Sequence, residues 1–276
     1  MTNLQSKPIA ITGASSGIGR ATAIACARAG MPVILAARRL DKLDKVRDEI
    51  TATGGKAISV ACDVTTQADC DNLIAAAFDA FGSIHAVFAN AGYGLERPIH
   101  LVSDAEMREI FETNYFGTLN TIRPAIPHLL KARAGHILIC ASCIGKLGVP
   151  YIGAYCATKG AQWLIGQAMH SELKPKGVNV SVVYPVRTLT EFSEVSAAVS
   201  NLPPVPRTTP LAKAQTADQV ARAIVRCLER PCPEVWTSIP TRLTFALAMA
   251  MPRFAANRLN AYAARRRTLI KGIDGE

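Results

Sequence analysis

The chain has 276 residues, 49% of them hydrophobic and 19% charged, with a formal net charge of +10. So apolar and sparsely charged a chain is neither disordered nor a low-complexity scaffold, and at this length a core forms without disulfide staples. Residues 240–276 carry seven cations against two anions, half of the whole excess, so the basic character belongs to the tail more than to the body.

Short β-branched runs alternate with longer helical patterns. Strand 9–12 leads through a glycine-rich loop into helix 17–29, strand 33–36 into helix 40–53, and strand 57–61 into helix 67–81. Strand 86–89 precedes one long helix over 105–131, strand 136–140 precedes helix 155–174, and strands follow at 179–184 and, more weakly, 235–237. The strands are nearly continuous apolar runs, as in a parallel sheet covered on both faces. The repeated βαβ order predicts right-handed crossovers and a doubly wound sheet. Ser103-x-x-Glu106 and Thr216-x-x-Gln219 read as capping boxes, and Gly30 and Gly54-Gly55 sit where helices stop. The proline-rich stretch 201–210 reads as a loop, since too little chain follows to build a second core.

Of eight scattered cysteines only Cys140 and Cys143 form a C-x-x-C pair, and no histidine spacing completes a metal site, so free thiols and no metal are expected. Residues 1–13 lack the apolar run of a signal peptide, and no stretch reaches about 18 apolar residues, so a cytoplasmic protein is expected.

The loop Thr12-Gly13-Ala14-Ser15-Ser16-Gly17-Ile18-Gly19 stands between strand and helix. Glycine permits the turn and a close phosphate approach, and the helix N-terminus offers free N–H groups to a diphosphate. The spacing is G-x-x-x-G-x-G, with a threonine before it. Here the sequence resembles the short-chain dehydrogenase/reductase family, in its classical branch, over roughly residues 7–236. The resemblance implies an α/β fold: a single doubly wound Rossmann-type domain with a central, mostly parallel seven-stranded sheet over 1–239, followed by a helical extension over 240–276.

The second strand ends in Ala37-Arg38-Arg39. A carboxylate there would accept the ribose hydroxyls of NAD. Arg38 and Arg39 instead suit a 2′-phosphate, so the cofactor expected is NADP(H), and Asp41 is expected to cap the next helix. The resemblance places an adenine contact at Asp63-Val64 and matches the family's N-A-G motif at Asn90-Ala91-Gly92. After the sixth strand the family's P-G-x-[IV]-x-T pattern reads Pro185-Val186-Arg187-Thr188-Leu189-Thr190, with valine for glycine. Pro185, Thr188 and Thr190 remain cofactor candidates.

Tyr155 and Lys159 lie one helical turn apart on one face, and a nearby ammonium favours the phenolate. Ser142 ends the fifth strand, and Asn114 matches the family's fourth active-site position, where it would distort the helix and hold a water. The implied mechanism moves hydride between nicotinamide and a carbon bearing oxygen. In it Tyr155 is the proton donor or acceptor, Lys159 lowers its pKa and binds ribose, and Ser142 orients the oxygen. Cys143 and Cys156 flank this set, and at least one thiol is expected to line the pocket.

The substrate expected is a small, apolar or lipid-like carbonyl or alcohol, and the assembly a homodimer or homotetramer. The alternative classes are a non-catalytic cofactor sensor and a peripheral membrane protein. The apolar run within 242–251, bounded by arginines, covers the pocket, docks on a partner or lies on a membrane. Sparse aromatic interleaving speaks against nucleic acid.

Overall fold

In the computed structural model, residues 2–200 and 214–269 are described; the 201–210 stretch lies outside them. The strands are β1 (Ile9–Thr12), β2 (Val33–Ala37), β3 (Ala57–Ala61), β4 (Ala86–Ala89), β5 (Gly135–Cys140), β6 (Val178–Tyr184), the short β7 (Thr188–Leu189) and β8 (Gln215–Thr216), and β9 (Glu234–Trp236). The helices are α1 (Gly17–Arg28), α2 (Leu40–Ala52), α3 (Gln67–Phe81), α4 (Asp104–Phe111), α5 (Gly117–Ile122), α6 (Ile126–Ala132), α7 (Gly153–Leu173), α8 (Phe192–Ser200), α9 (Ala217–Glu229), α10 (Ile239–Ala250) and α11 (Pro252–Leu269).

Seven strands form one sheet in the order β3-β2-β1-β4-β5-β6-β9, every neighbouring pair parallel. Alternate side chains of each strand feed opposite layers. Ile9, Ile11, Val33 and Leu35 pack with α1, α2 and α9, while Ala10, Ile34 and Ala36 pack with α3 and the helices that follow β4. Both faces are therefore apolar, as the unbroken hydrophobic runs require. The chain reverses its winding between β1 and β4, which opens a crevice beyond their carboxyl ends, where ligands of such sheets bind.

Both capping boxes form: Ser103 accepts from the Glu106 amide and Thr216 from the Gln219 amide, with the reciprocal bonds present. Asp41 does not cap α2; Arg39 is the N-cap residue and Asp41 lies in the first turn, where a carboxylate still complements the helix dipole. The helix expected over 105–131 is broken. After α4 the chain makes a π turn over Glu112–Phe116, and α5 stops at Ile122. Pro124 and Pro127 explain the stop, since neither donates a backbone N–H to the carbonyl four residues before it, even though Arg123 keeps helical dihedrals. The hydroxyls of Thr118 and Thr121 bond back to the carbonyls of Asn114 and Gly117, at 2.8 and 2.7 Å. Among the described residues no helix is long and apolar enough to cross a membrane.

Candidate active site

A cavity of about 1010 Å³ opens at the crevice and runs from the glycine loop to α11. At its first end the backbone does most of the work. Gly13 and Gly17 take φ of +66° and +54°, conformations that favour glycine. A Cβ on Gly19 would overlap the Gly13 carbonyl oxygen, and one on Gly17 would meet Thr190 Cγ2 at 3.1 Å. Asn90 fixes the loop, its Nδ2 donating to the carbonyls of Thr12 (3.0 Å) and Gly13 (3.4 Å). The amides of Asn90 and Ala91 donate to Thr12 Oγ1. α1 starts with Ser16 at its N-cap, no side-chain cap and no acidic residue in the first turn. Its first amides and dipole therefore face the cavity beside Ser15, Gly17 and Ile18.

Beside the loop lies a basic cluster. Arg38 is exposed at the cavity wall beyond Ala37. Arg39 donates to Ser15 Oγ at 3.1 Å and Ser16 Oγ at 3.3 Å, and pairs with Glu191 at 3.3 Å. Lys42 reaches the same carboxylate at 3.2 Å, and the two cations, Lys42 foremost, hold Glu191 below the usual carboxylate range. Burial works against the Asp63 carboxylate, yet donation from Thr65 and the charge of Arg38 hold its pKa down. Next to it Val64 is buried against Gly117. Lys42 was within reach of sequence reasoning, three residues after Arg39 on a helix; Glu191, about 150 residues away in sequence, carried no signal.

The structure brings Ser142, Tyr155 and Lys159 together on the cavity wall, with Asn114 buried behind them. Asn114, fully buried in the π turn, exchanges two hydrogen bonds of 2.9 Å with the backbone of Tyr93 and donates to Thr158 Oγ1 at 3.1 Å. A Cβ on Gly92 would touch Asn114 Oδ1 and approach Lys159 Nζ, so only glycine fits between them. Lys159 Nζ donates to the Cys140 carbonyl at 2.7 Å and lies 5.5 Å from the centre of the Tyr155 ring. Burial lowers the Lys159 pKa to about 8, which leaves the ammonium largely charged at neutral pH.

The phenol departs from expectation. Burial raises the Tyr155 pKa above its ordinary value, neighbouring thiols add to this, and a hydrogen bond with Ser142 opposes it. Lys159 spends a hydrogen bond on the Cys140 carbonyl, and burial is the largest influence on the phenol, so desolvation of the phenolate outweighs the attraction of the ammonium. The Tyr155 ring rests against Phe192 with centroids 5.5 Å apart. Cys140 and Cys143 line the cavity whereas Cys156 does not. Burial pushes Cys143 up to about 12 and raises the other two, which keeps all three as thiols.

The far end is side-chain work. Pro185 O accepts from the Cys143 amide at 3.3 Å, and Val186, nearly buried, has no left-handed φ that would require glycine. Thr188 pairs with Gln215 in the β7–β8 ladder, and Thr190 stands against Gly17. The tail folds back over this end: Phe245 of α10 and Arg258, Tyr262 and Arg265 of α11 line the cavity. Arg266, almost wholly buried, clamps α11 to the body through an ion pair with Glu96. Nothing in the sequence marked that pair. Among the described residues no histidine, cysteine and carboxylate cluster suits a metal ion.

The sequence pattern of the short chain dehydrogenase family matches residues 7–199. An uncharacterized oxidoreductase of Listeria innocua, Lin0452, is 36% identical over 193 residues, which is 69% of this chain and 78% of that protein. The ketoacyl reductase HetN of Nostoc is 32% identical over 235 residues, 85% of this chain and 79% of that protein. The crystal structure of a short chain dehydrogenase/reductase from Burkholderia phymatum in complex with NAD superposes with a TM-score of 0.83 at 27% identity, covering 92% of this chain and 97% of that one. An alcohol dehydrogenase from Thermococcus sibiricus complexed with 5-hydroxy-NADP gives 0.73 at 27% identity, covering 83% and 95%. The chain belongs to the short-chain dehydrogenase/reductase family and is an oxidoreductase built to bind a nicotinamide cofactor.

Proposed function

We propose that the protein is an NADP(H)-dependent reductase of an apolar ketone or aldehyde, working in reverse as an alcohol dehydrogenase. The observation that carries this reading is the gathering of Ser142, Tyr155 and Lys159 on the wall of a cavity that begins at the bare N-terminus of α1, with Asn114 buried behind them.

The residues present fit the cofactor. The left-handed glycines and the unoccupied first amides of α1 suit a diphosphate. Arg38, Arg39 and Lys42, with alanine at the end of β2, suit a 2′-phosphate. Glu191 shares Arg39 with the loop serines, so a phosphate at this place competes with a carboxylate already neutralised by two cations. Asp63 and Val64 flank the adenine end, Asn90, Ala91 and Gly92 the middle, and Pro185, Thr188 and Thr190 the nicotinamide end. When bound, the nicotinamide supplies or takes the hydride.

Tyr155 holds the proton that passes to or from the substrate oxygen. Its raised pKa keeps it protonated, the state from which the reductive direction starts. Ser142 shares a hydrogen bond with the phenol and holds the substrate oxygen beside it. Lys159 presents a buried positive charge under the ring and can shift from the Cys140 carbonyl towards a ribose hydroxyl. Asn114 fixes the turn at Tyr93 and Thr158 that backs Lys159. On this reading residues 1–239 bind cofactor and do chemistry, while α10 and α11 of the 240–276 extension roof the substrate end. The chain acts as a homo-oligomer, and the exposed edge of α10 (Ile239, Leu243, Leu247) is apolar surface available for burial.

The test is NADPH absorbance across a carbonyl panel, with Tyr155→Phe as control. Removing the general acid should cost about 10²- to 10⁴-fold in turnover while NADPH binding is retained. Undiminished turnover would overturn the role of Tyr155. Arg38→Ala should weaken NADPH far more than NADH; equal losses would overturn the 2′-phosphate assignment.

A further inference from the structure

We propose that Arg258 and Arg265 on α11 form a recognition site for an oxyanionic head group, so that the preferred carbonyl compound is an apolar chain ending in a carboxylate or phosphate. This rests on the oxidoreductase reading for the reacting end of the substrate and extends it to the other end.

The cavity that Tyr155 and α11 share has an apolar part to its wall, made by Val149, Ile152, Val195, Val199, Phe245 and Leu259. An apolar chain fits against such a wall. The same cavity holds cations. Arg258, Tyr262 and Arg265 are spaced four and seven residues along α11 and lie on one face of it. The two arginines stand about 10 Å apart along the axis, one on either side of Tyr262, and all three line the cavity. Both arginines are exposed, and among the described residues no carboxylate pairs with either.

Two of the four acidic residues of the same cavity are already held by cations. Glu96 is bound to Arg266, and Glu191 to Arg39 and Lys42. Glu109 stands beside Tyr93, where its charge, after burial, helps raise the Tyr93 pKa to about 12. Asp63 lies at the adenine end beside Arg38. From residue 235 to residue 273 the sequence holds no aspartate or glutamate. α11 thus brings two planar, permanently charged groups, and no acidic residue of its own, to a cavity with a partly apolar wall. Guanidinium groups match carboxylate and phosphate oxygens in pairs. Arg266 positions the site, since its pair with Glu96 sets where the helix lies.

The full chain is tested by calorimetry with decanoate, decyl phosphate and decan-1-ol as probes, at low and at high salt. Either oxyanion should bind about tenfold more tightly than decanol, and salt should erode the difference because the arginines are exposed. The stronger of the two anions identifies the head group. The Arg258→Leu/Arg265→Leu variant should bring both anions to the level of decanol, and Arg258→Lys/Arg265→Lys should keep part of the preference. Equal affinity of wild type for all three probes, or an undiminished preference in the leucine variant, overturns the proposal. Reduction of 10-oxodecanoate against decanal gives the kinetic counterpart: the ratio of their kcat/KM values should fall about tenfold in the leucine variant. A preserved binding preference with neither aldehyde reduced would sink the oxidoreductase reading and leave the head-group site standing.

Discussion

The two ends of the cavity are built on different principles. The glycine-loop end is made of backbone: positive-φ glycines, strand-end amides and one asparagine that ties loop to strand. The α11 end is made of side chains, delivered by the loop after β4 and by α8, α10 and α11 from positions up to 170 residues apart and held by one buried ion pair between Glu96 and Arg266. A backbone site tolerates little variation, because close approach fixes the residue type. A side-chain site is free to change with the substrate. The difference predicts opposite responses to mutation.

The largest effect belongs to the backbone end. Gly19→Ala puts a methyl group on the Gly13 carbonyl oxygen, and the loop must shift to relieve it. A displacement of about 1 Å at a positioning element costs on the order of 100-fold, so affinity for the nicotinamide cofactor should fall by that order. The atoms nearest the new methyl belong to the loop and to Asn90, so circular dichroism should keep its folded form. Wild-type affinity in this variant would break the idea that backbone contact makes this end.

The same division explains what the sequence could and could not reveal. The glycine spacing, the strand–loop–helix order and the Tyr155–Lys159 interval are local, and local patterns survive in one dimension. The parallel sheet was legible because strands buried on both faces read as unbroken apolar runs. The broken helix after β4 was not, although Pro124 and Pro127 were in view, because the helical periodicity on either side outweighed them; Asn114 bonds outward to Tyr93 and Thr158, partners no spacing rule supplies. Nor was the raised Tyr155 pKa: an interval of four residues gives the partner but not the burial. Glu191 and the Glu96–Arg266 pair depend on contacts across 149 and 170 positions.

A smaller effect is expected at the side-chain end. Glu96→Gln leaves the Arg266 guanidinium buried without its counter-charge, and breaking a buried pair in this way costs about 3–5 kcal/mol. α11 packs chiefly on α10 and along the cavity, so its release costs less than keeping a bare charge inside. Trypsin should then cut within 253–267 at least about tenfold faster, by the factor a 1.4 kcal/mol shift gives, while the seven-stranded body melts near its usual temperature. Glu96→Gln/Arg266→Met removes both charges and should restore much of the resistance. A fall in the melting temperature of the whole body, with no faster cleavage, would show the tail to be an integral layer of the fold and not a roof over one end.

The smallest effect sharpens the boundary between body and periphery, and it uses two helix starts of the same chemistry. Thr216 and Ser103 each cap a helix through a complete box, and removing such a cap costs about 1 kcal/mol. α9 buries Val220, Ile224, Cys227 and Leu228 against α1 and the sheet, so it should open only with global unfolding. Thr216→Ala should then lower the melting temperature by about 2–4 °C for a chain of this size. α4 buries only Ile110, runs into the π turn, and keeps Glu106 paired with Arg97 at 2.7 Å after the serine is gone. Ser103→Ala should therefore leave the melting temperature nearly unchanged and show itself as faster hydrogen exchange confined to α4, because a segment that opens locally draws on its own stability and not on the global one. Equal shifts in melting temperature for the two variants would place α4 inside the cooperative core, and the α11 end of the cavity would then be as rigid as the glycine-loop end.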